Sequence, residues 1–298
     1  MTDLNRSSWP ILVGVDGSDS AVSAVRWAAA EARRRRVGLR LVEALDSPSA
    51  VSAPQWAVEA GVLERHQQMA RDRVAVGATA AAEVAPEVPV TTEVVSGHAV
   101  ECLRAEAGRA QLAVLGHRGI GGLAGLVVGS TAVALAAHAN CPVVVVRGAG
   151  PVDGDGPVVV GVDGSPMSEA ALEFAFDEAD RRRARLVAVH AWHDLVLDPW
   201  FAPMIDWDVL AADERQLLAQ RLAGWGAKYP DVQVERVVVK DRPAHALQAR
   251  SVGAQLLVVG SRGRGGASGM LLGSVSQALL GHAECPVAIV RPVPASVE

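Results

Sequence analysis

Residues 111–131, Gln-Leu-Ala-Val-Leu-Gly-His-Arg-Gly-Ile-Gly-Gly-Leu-Ala-Gly-Leu-Val-Val-Gly-Ser-Thr, decide the fold. After Gln111, Leu112 to Gly116 is an uninterrupted apolar run that suits a strand buried on both faces. Gly116-x-x-Gly119 follows, then nine residues, then Gly129-Ser130-Thr131. Glycines let a backbone approach a polyanion closely. Ser130 and Thr131, at the start of a helix, add hydroxyl and amide donors at its partly positive end. The same pattern returns at 255–274: an apolar run, Gly260-x-x-Gly263, nine residues, then Gly273-Ser274 and Val275. Two loops with one spacing argue for a retained phosphate-binding site.

Other markers repeat around these loops. Val13-Gly14-Val15-Asp16-Gly17-Ser18 recurs at Val160 to Ser165, and His138-Ala-x-Cys141-Pro142-Val143 recurs at His282 to Val287. The chain of 298 residues is therefore an internal duplication with a period of about 145 residues, which is domain-sized. The Gly/Pro/Asp-rich stretch 148–157 is the natural linker, giving expected domains 1–149 and 150–298.

In the first half the apolar runs are 11–16, 39–45, 90–95, 111–116 and 142–146. In the second they are 158–163, 185–191, 232–239, 255–260 and 286–291. Ser20 to Arg36 and Ser168 to Arg183 read as amphipathic helices whose closing arginines are solvated and complement the helix dipole. Strands alternating with helices predict a parallel sheet with right-handed crossovers. The expected fold is two tandem Rossmann-like domains. Each is a five-stranded parallel sheet in the flavodoxin-like order 3-2-1-4-5, flanked by helices. Such a sheet binds ligands where the strand order reverses, between the first and fourth strands. Asp16 and Asp163 end the first strands, and Gly116 and Gly260 end the fourth, so both motifs would meet at one crevice.

Composition excludes several classes. Net charge is −5, and of 28 basic residues all but Lys228 and Lys240 are arginine. Neither half carries the basic excess of a general nucleic-acid binder. Cys102, Cys141 and Cys285 form no zinc pattern; Cys141 and Cys285 read as fillers of small buried sites, and the sparse count fits a reducing cytosol. Leu123 to Val146 is almost uncharged but broken by Gly129-Ser130 and Asn140-Cys141-Pro142, so a helix followed by a buried strand explains it better than a membrane span. The N-terminus lacks a signal-peptide core.

Individual residues carry alternatives. Asp16 and Asp163 could cap helices or contact a ligand, through ribose hydroxyls or through a metal such as magnesium held on phosphate. Arg118 and Arg262 could screen phosphate charge or be merely solvated. The loops lack the lysine of a Walker A motif, and the fingerprint-like Gly119 to Ala124 follows the fourth strand and is not reproduced in the second copy. His117 faces Ser261 in the repeat and Ile120 faces Arg264, so neither supports a shared catalytic role. No general acid and base pair or metal cluster repeats, and His138 and His282 read as helix-end residues.

These motifs resemble the universal stress protein family, in its tandem two-domain, ATP-binding form, over about 10–147 and 157–292. The arginine-rich composition is similar to actinobacterial, mycobacterial-type members. The resemblance implies one ATP per domain. Asp16 and Asp163 would lie at the nucleotide, and Val42 and Val187, in the second strands, near the adenine. His190 fits the family's pattern after the second strand, whereas Glu43 departs from it. The family's last strands, here 142–147 and 286–291, pair domains, internally or in a homodimer. The implied role is that of a cytoplasmic regulator of stress, hypoxia or growth, acting on a protein partner and not as an enzyme. The alternatives are a slow ATPase or nucleotidyl transferase, and a scaffold with vestigial loops.

Overall fold

The computed structural model describes residues 7–46, 61–119, 128–147, 154–192, 207–264 and 271–292. The chain divides into two compact units, Met1–Asp153 and Gly154–Glu298. The boundary expected at 149/150 falls outside the described residues.

The first unit runs β1 (Ile11–Gly14), α1 (Asp19–Arg35), β2 (Leu39–Leu45), α2 (Val62–Val84) and β3 (Val90–Ser96). It continues through α3 (Ala99–Ala107), β4 (Leu112–Gly116), α4 (Ser130–His138) and β5 (Val143–Val146). Parallel pairings of β2 with β3, β1 with β2, β1 with β4 and β4 with β5 give the order 3-2-1-4-5. The second unit repeats it with β6 (Val158–Gly161), α5 (Pro166–Arg182), β7 (Leu186–Trp192), α6 (Trp207–Leu222) and α7 (Trp225–Lys228). β8 (Val234–Lys240), α8 (Pro243–Ser251), β9 (Leu256–Gly260), α9 (Ser274–His282) and β10 (Val287–Val290) complete it. Its strands pair in the equivalent order, again all parallel.

Why this order appears follows from the crossovers. Two right-handed crossovers run from β1 through β2 to β3, and two run the other way through β4 to β5. That puts α1 and α2 on one face and α3 and α4 on the other. α1 packs against α2, and α3 against α4. Sandwiched strands must be apolar on both sides. Val143–Val146 and Leu256–Val259 are buried throughout.

Both first helices start alike. Ser18 Oγ accepts the Ala21 amide at 3.1 Å, and Ser165 Oγ accepts the Ser168 amide at 3.2 Å. Serine, not aspartate, is the cap. Both helices also end alike, with Arg36 (φ 56°) and Arg183 (φ 51°) in the left-handed conformation. The arginine clusters depart from expectation. Arg35 pairs with Glu31 at 2.7 Å, and Arg182 with Glu178 at 2.9 Å; the carboxylates are fully buried and the arginine side chains 7% and 2% exposed. A helix end laid on the sheet leaves its inner positions no solvent, so within the two clusters Arg36, Arg181 and Arg183 are exposed as expected and the others are not.

Cys141 and Cys285 are buried, and burial pushes the Cys285 thiol pKa up to about 12. Trp225 and Tyr229 stack on each other and both on Phe176 of α5, so this tryptophan packs the second crossover. No helix among the described residues is long and apolar enough to cross a membrane.

Candidate functional site

The β1–β4 register, Val13 opposite Val114, brings the ends of these strands together. The chain then turns at Asp16. Its Oδ1 accepts the Ser18 amide at 3.0 Å and the Ser18 hydroxyl at 2.7 Å. Asp163 Oδ1 accepts the Ser165 amide at 2.9 Å. Each aspartate therefore orients the serine that caps the following helix, and keeps Oδ2 turned to the glycine loop.

That loop is folded back on its own origin. The Gly129 amide donates to the His117 carbonyl at 2.8 Å, and the Gly273 amide to the Ser261 carbonyl at 2.8 Å. The start of α4, and of α9, thus sits beside the end of the fourth strand. Two glycine positions in each domain are crowded, one by a side chain and one by a neighbouring helix. A Cβ on Gly119 would fall on Asp16 Oδ2, and one on Gly263 would stand 2.5 Å from Asp163 Oδ2. A Cβ on Gly116 would stand 2.6 Å from the Ser20 carbonyl carbon, and one on Gly260 2.8 Å from Met167 Cβ. Phosphate approach was the expected reason for Gly116 and Gly260; the first turns of α1 and α5 are the neighbours that exclude a side chain.

In the first unit these elements enclose a cavity of about 320 Å3. Asp16, Val42, Gly116, Arg118, Gly119, Gly129, Ser130 and Thr131, the eight site residues expected there, all line it. Ala44, Ala99 and Leu103 line it too. Its lining combines a carboxylate, a guanidinium, two hydroxyls and a helix N-terminus with the aliphatic side chains of Val42, Ala44 and Leu103. Ala44 follows Val42 by one β period, so alternation could have found it. Ala99 and Leu103 belong to α3, whose position depends on tertiary packing.

His117 opens the loop. Its Nδ1 lies 3.0 Å from Ser20 Oγ, which also accepts the Arg118 amide at 3.3 Å. Burial, then the charges of Arg147 and Arg118, lower its pKa, so the ring is neutral at neutral pH. Met167 and Ser261 replace this pair in the second unit, with Ser261 Oγ 3.6 Å from Met167 Sδ.

The second unit keeps the aspartate, the three loop glycines and Ser274 in the same relation. Asp163 Oδ2 accepts the Arg264 amide at 3.0 Å. Val275, beside Ser274 in the first turn of α9, offers a backbone amide but no hydroxyl. Arg262 is half-buried. Val187 needs correction as the counterpart of Val42. Val42 pairs with Gly14, and the residue paired with Gly161 is Val189; Val187 lies two residues deeper, opposite Val159.

Glu43 and His190 are true counterparts, and each meets the following crossover helix. Arg73 holds Glu43 Oε1, leaving Oε2 buried without a hydrogen-bond partner among the described residues. His190 Nδ1 donates to the Val162 carbonyl at 2.7 Å, and Nε2 meets Glu214 at 2.8 Å. Arg221 of α6 lies over Gly164 and pairs with Glu169 at 2.9 Å. His138 and His282 end α4 and α9, as expected.

Fold and site together define a class: tandem parallel α/β domains, each with a glycine loop latched to an aspartate turn. The universal stress protein family model matches residues 10–147 and 156–291. A universal stress protein of Mycobacterium tuberculosis H37Rv is 44% identical over 292 residues, covering 96% of this chain and 97% of that one. One from Mycolicibacterium smegmatis is 42% identical over 291 residues, covering 96% and 98%. The crystal structure of a universal stress protein from Archaeoglobus fulgidus shares the fold at 16% identity and a TM-score of 0.71, covering 97% of this chain and 98% of that one. The chain belongs to the universal stress protein family.

Proposed function

We propose that each domain, 1–149 and 150–298, is an ATP-binding unit, and that the chain is a nucleotide-dependent regulator of stress, hypoxia or growth responses in the cytoplasm. The observation that carries this reading is the gathering of eight separately chosen residues around one cavity whose lining is part polar and part aliphatic. Those two kinds of lining suit a flat base beside Val42 and Leu103 and a polyphosphate against Arg118, Ser130 and Thr131. Among the described residues no three acidic, histidine or cysteine groups cluster as a metal site. A magnesium ion would therefore arrive with the phosphates and meet Asp16 or Asp163 alone.

ATP occupancy would order the loop and bias a surface read by a protein partner. Turnover is not the assigned role, since no general base repeats across the two sites: the counterpart of His117 is Ser261. The test is mass spectrometry of small molecules released from gently purified protein, beside a phosphate-release assay. Bound ATP without turnover is expected. Absence of nucleotide, together with no binding on addition of ATP, contradicts the reading. Turnover on the order of 1 per second or faster makes the protein an enzyme instead.

A further inference from the structure

Each fourth strand is in register with the last strand of its own unit: Gly116 opposite Val146, and Gly260 opposite Val290. The pairing carries past the strand ends, for the His117 amide donates to the Val146 carbonyl at 3.1 Å and the Ser261 amide to the Val290 carbonyl at 2.9 Å. The next residue along each last strand is an arginine, Arg147 or Arg291. The next residue along each loop is also an arginine, Arg118 or Arg262. Two guanidiniums thus stand at the same place in both domains. Around them the copies have diverged: His117 faces Ser261, Ser20 faces Met167, and Thr131 faces Val275.

Two like charges set side by side repel, and an anion held between them offsets that repulsion. Burial, and after it the charge of Arg118, lowers the Arg147 pKa; burial and Arg262 do the same to Arg291. Arg118 lines the cavity together with Ser130 and Thr131, while Arg147 stands beyond it, one strand further out. A single phosphate can be held by Arg118, Ser130, Thr131 and the helix N-terminus. Only one whose negative charge extends further can engage both arginines.

We propose that Arg147 and Arg291 select a nucleoside triphosphate over the monophosphate by holding its distal phosphates jointly with Arg118 and Arg262. The inference rests on the nucleotide reading above and adds to it the residues that measure polyphosphate length. Guanidinium suits this task because it stays charged and presents a planar fork to phosphate oxygens.

The experiment is calorimetry with ATP, AMP and inorganic tripolyphosphate on unaltered protein, Arg147→Gln, Arg291→Gln and the double variant. Unaltered protein should bind ATP more tightly than AMP. Each single variant should weaken ATP and tripolyphosphate about tenfold at its own site while AMP changes less than about twofold. Arg147→Lys should recover part of the loss. Equal weakening of ATP and AMP, or no change in either, overturns the proposal. Should unaltered protein bind neither nucleotide, the underlying reading fails instead, and this arm shows it before any variant is compared. Should a glutamine variant not fold, salt titration of unaltered protein decides. ATP affinity must fall more steeply with salt than AMP affinity, and parallel slopes overturn the proposal.

Discussion

Gly116 and Gly119 are three residues apart, yet a methyl group on each would do different damage. On Gly119 it meets only the carboxylate Oδ2 of Asp16, the far end of a half-buried side chain that can swing away. The fold should survive and the latch between aspartate and loop should not. Gly119→Ala is therefore expected to weaken ATP at least about tenfold with little change in denaturation midpoint. On Gly116 the methyl meets backbone of α1, which cannot swing. Gly116→Ala should cost about 1–3 kcal/mol of stability, read by urea denaturation. If Gly119→Ala unfolds the domain, or Gly116→Ala leaves its stability untouched, the steric assignment is wrong. The importance of these glycines was legible in their spacing. Their separate reasons were not, because Ser20 and Asp16 lie about a hundred residues away in sequence and reach the loop only through the β1–β4 pairing.

At the scale of elements, strands were the most legible part. All ten apolar runs became strands within a few residues, because a parallel sheet covered on both faces demands continuous apolar sequence. The glycine loop could be placed from its spacing alone. Register was less legible. The register equivalent of Val42 is Val189, two residues beyond Val187, and a shift of two keeps the side chain on the same face and so leaves hydrophobic alternation unchanged. The crossover-helix contacts, Arg73 on Glu43 and Glu214 on His190, depend on how far each helix advances along the sheet, and no local pattern fixes that. Helix ends carry their own prediction. Arg36 holds φ 56° with its amide donating to the Ala32 and Arg33 carbonyls, a C-terminal turn that glycine adopts without steric penalty. Arg36→Gly should stabilise the first domain by about 1 kcal/mol, seen as a higher melting temperature. A lower one would mean that the exposed arginine side chain contributes more than its backbone conformation costs.

For the whole molecule the duplication is the decisive fact. Each domain repeats the aspartate turn, the serine cap and the folded-back loop with matching hydrogen bonds. The differences lie around that frame: Thr131 against Val275, Ser20 against Met167, and Arg221 over Gly164 in the second domain. None removes a backbone donor from the loop, so both sites should retain nucleotide. Native mass spectrometry with saturating ATP tests this most directly, on unaltered protein and on Gly119→Ala and Gly263→Ala. The account predicts two ATP per chain for unaltered protein, and for each variant the loss of one ATP first as the concentration is lowered from saturation. No ATP on the unaltered chain, or a count that neither substitution changes at any ATP concentration, would contradict it.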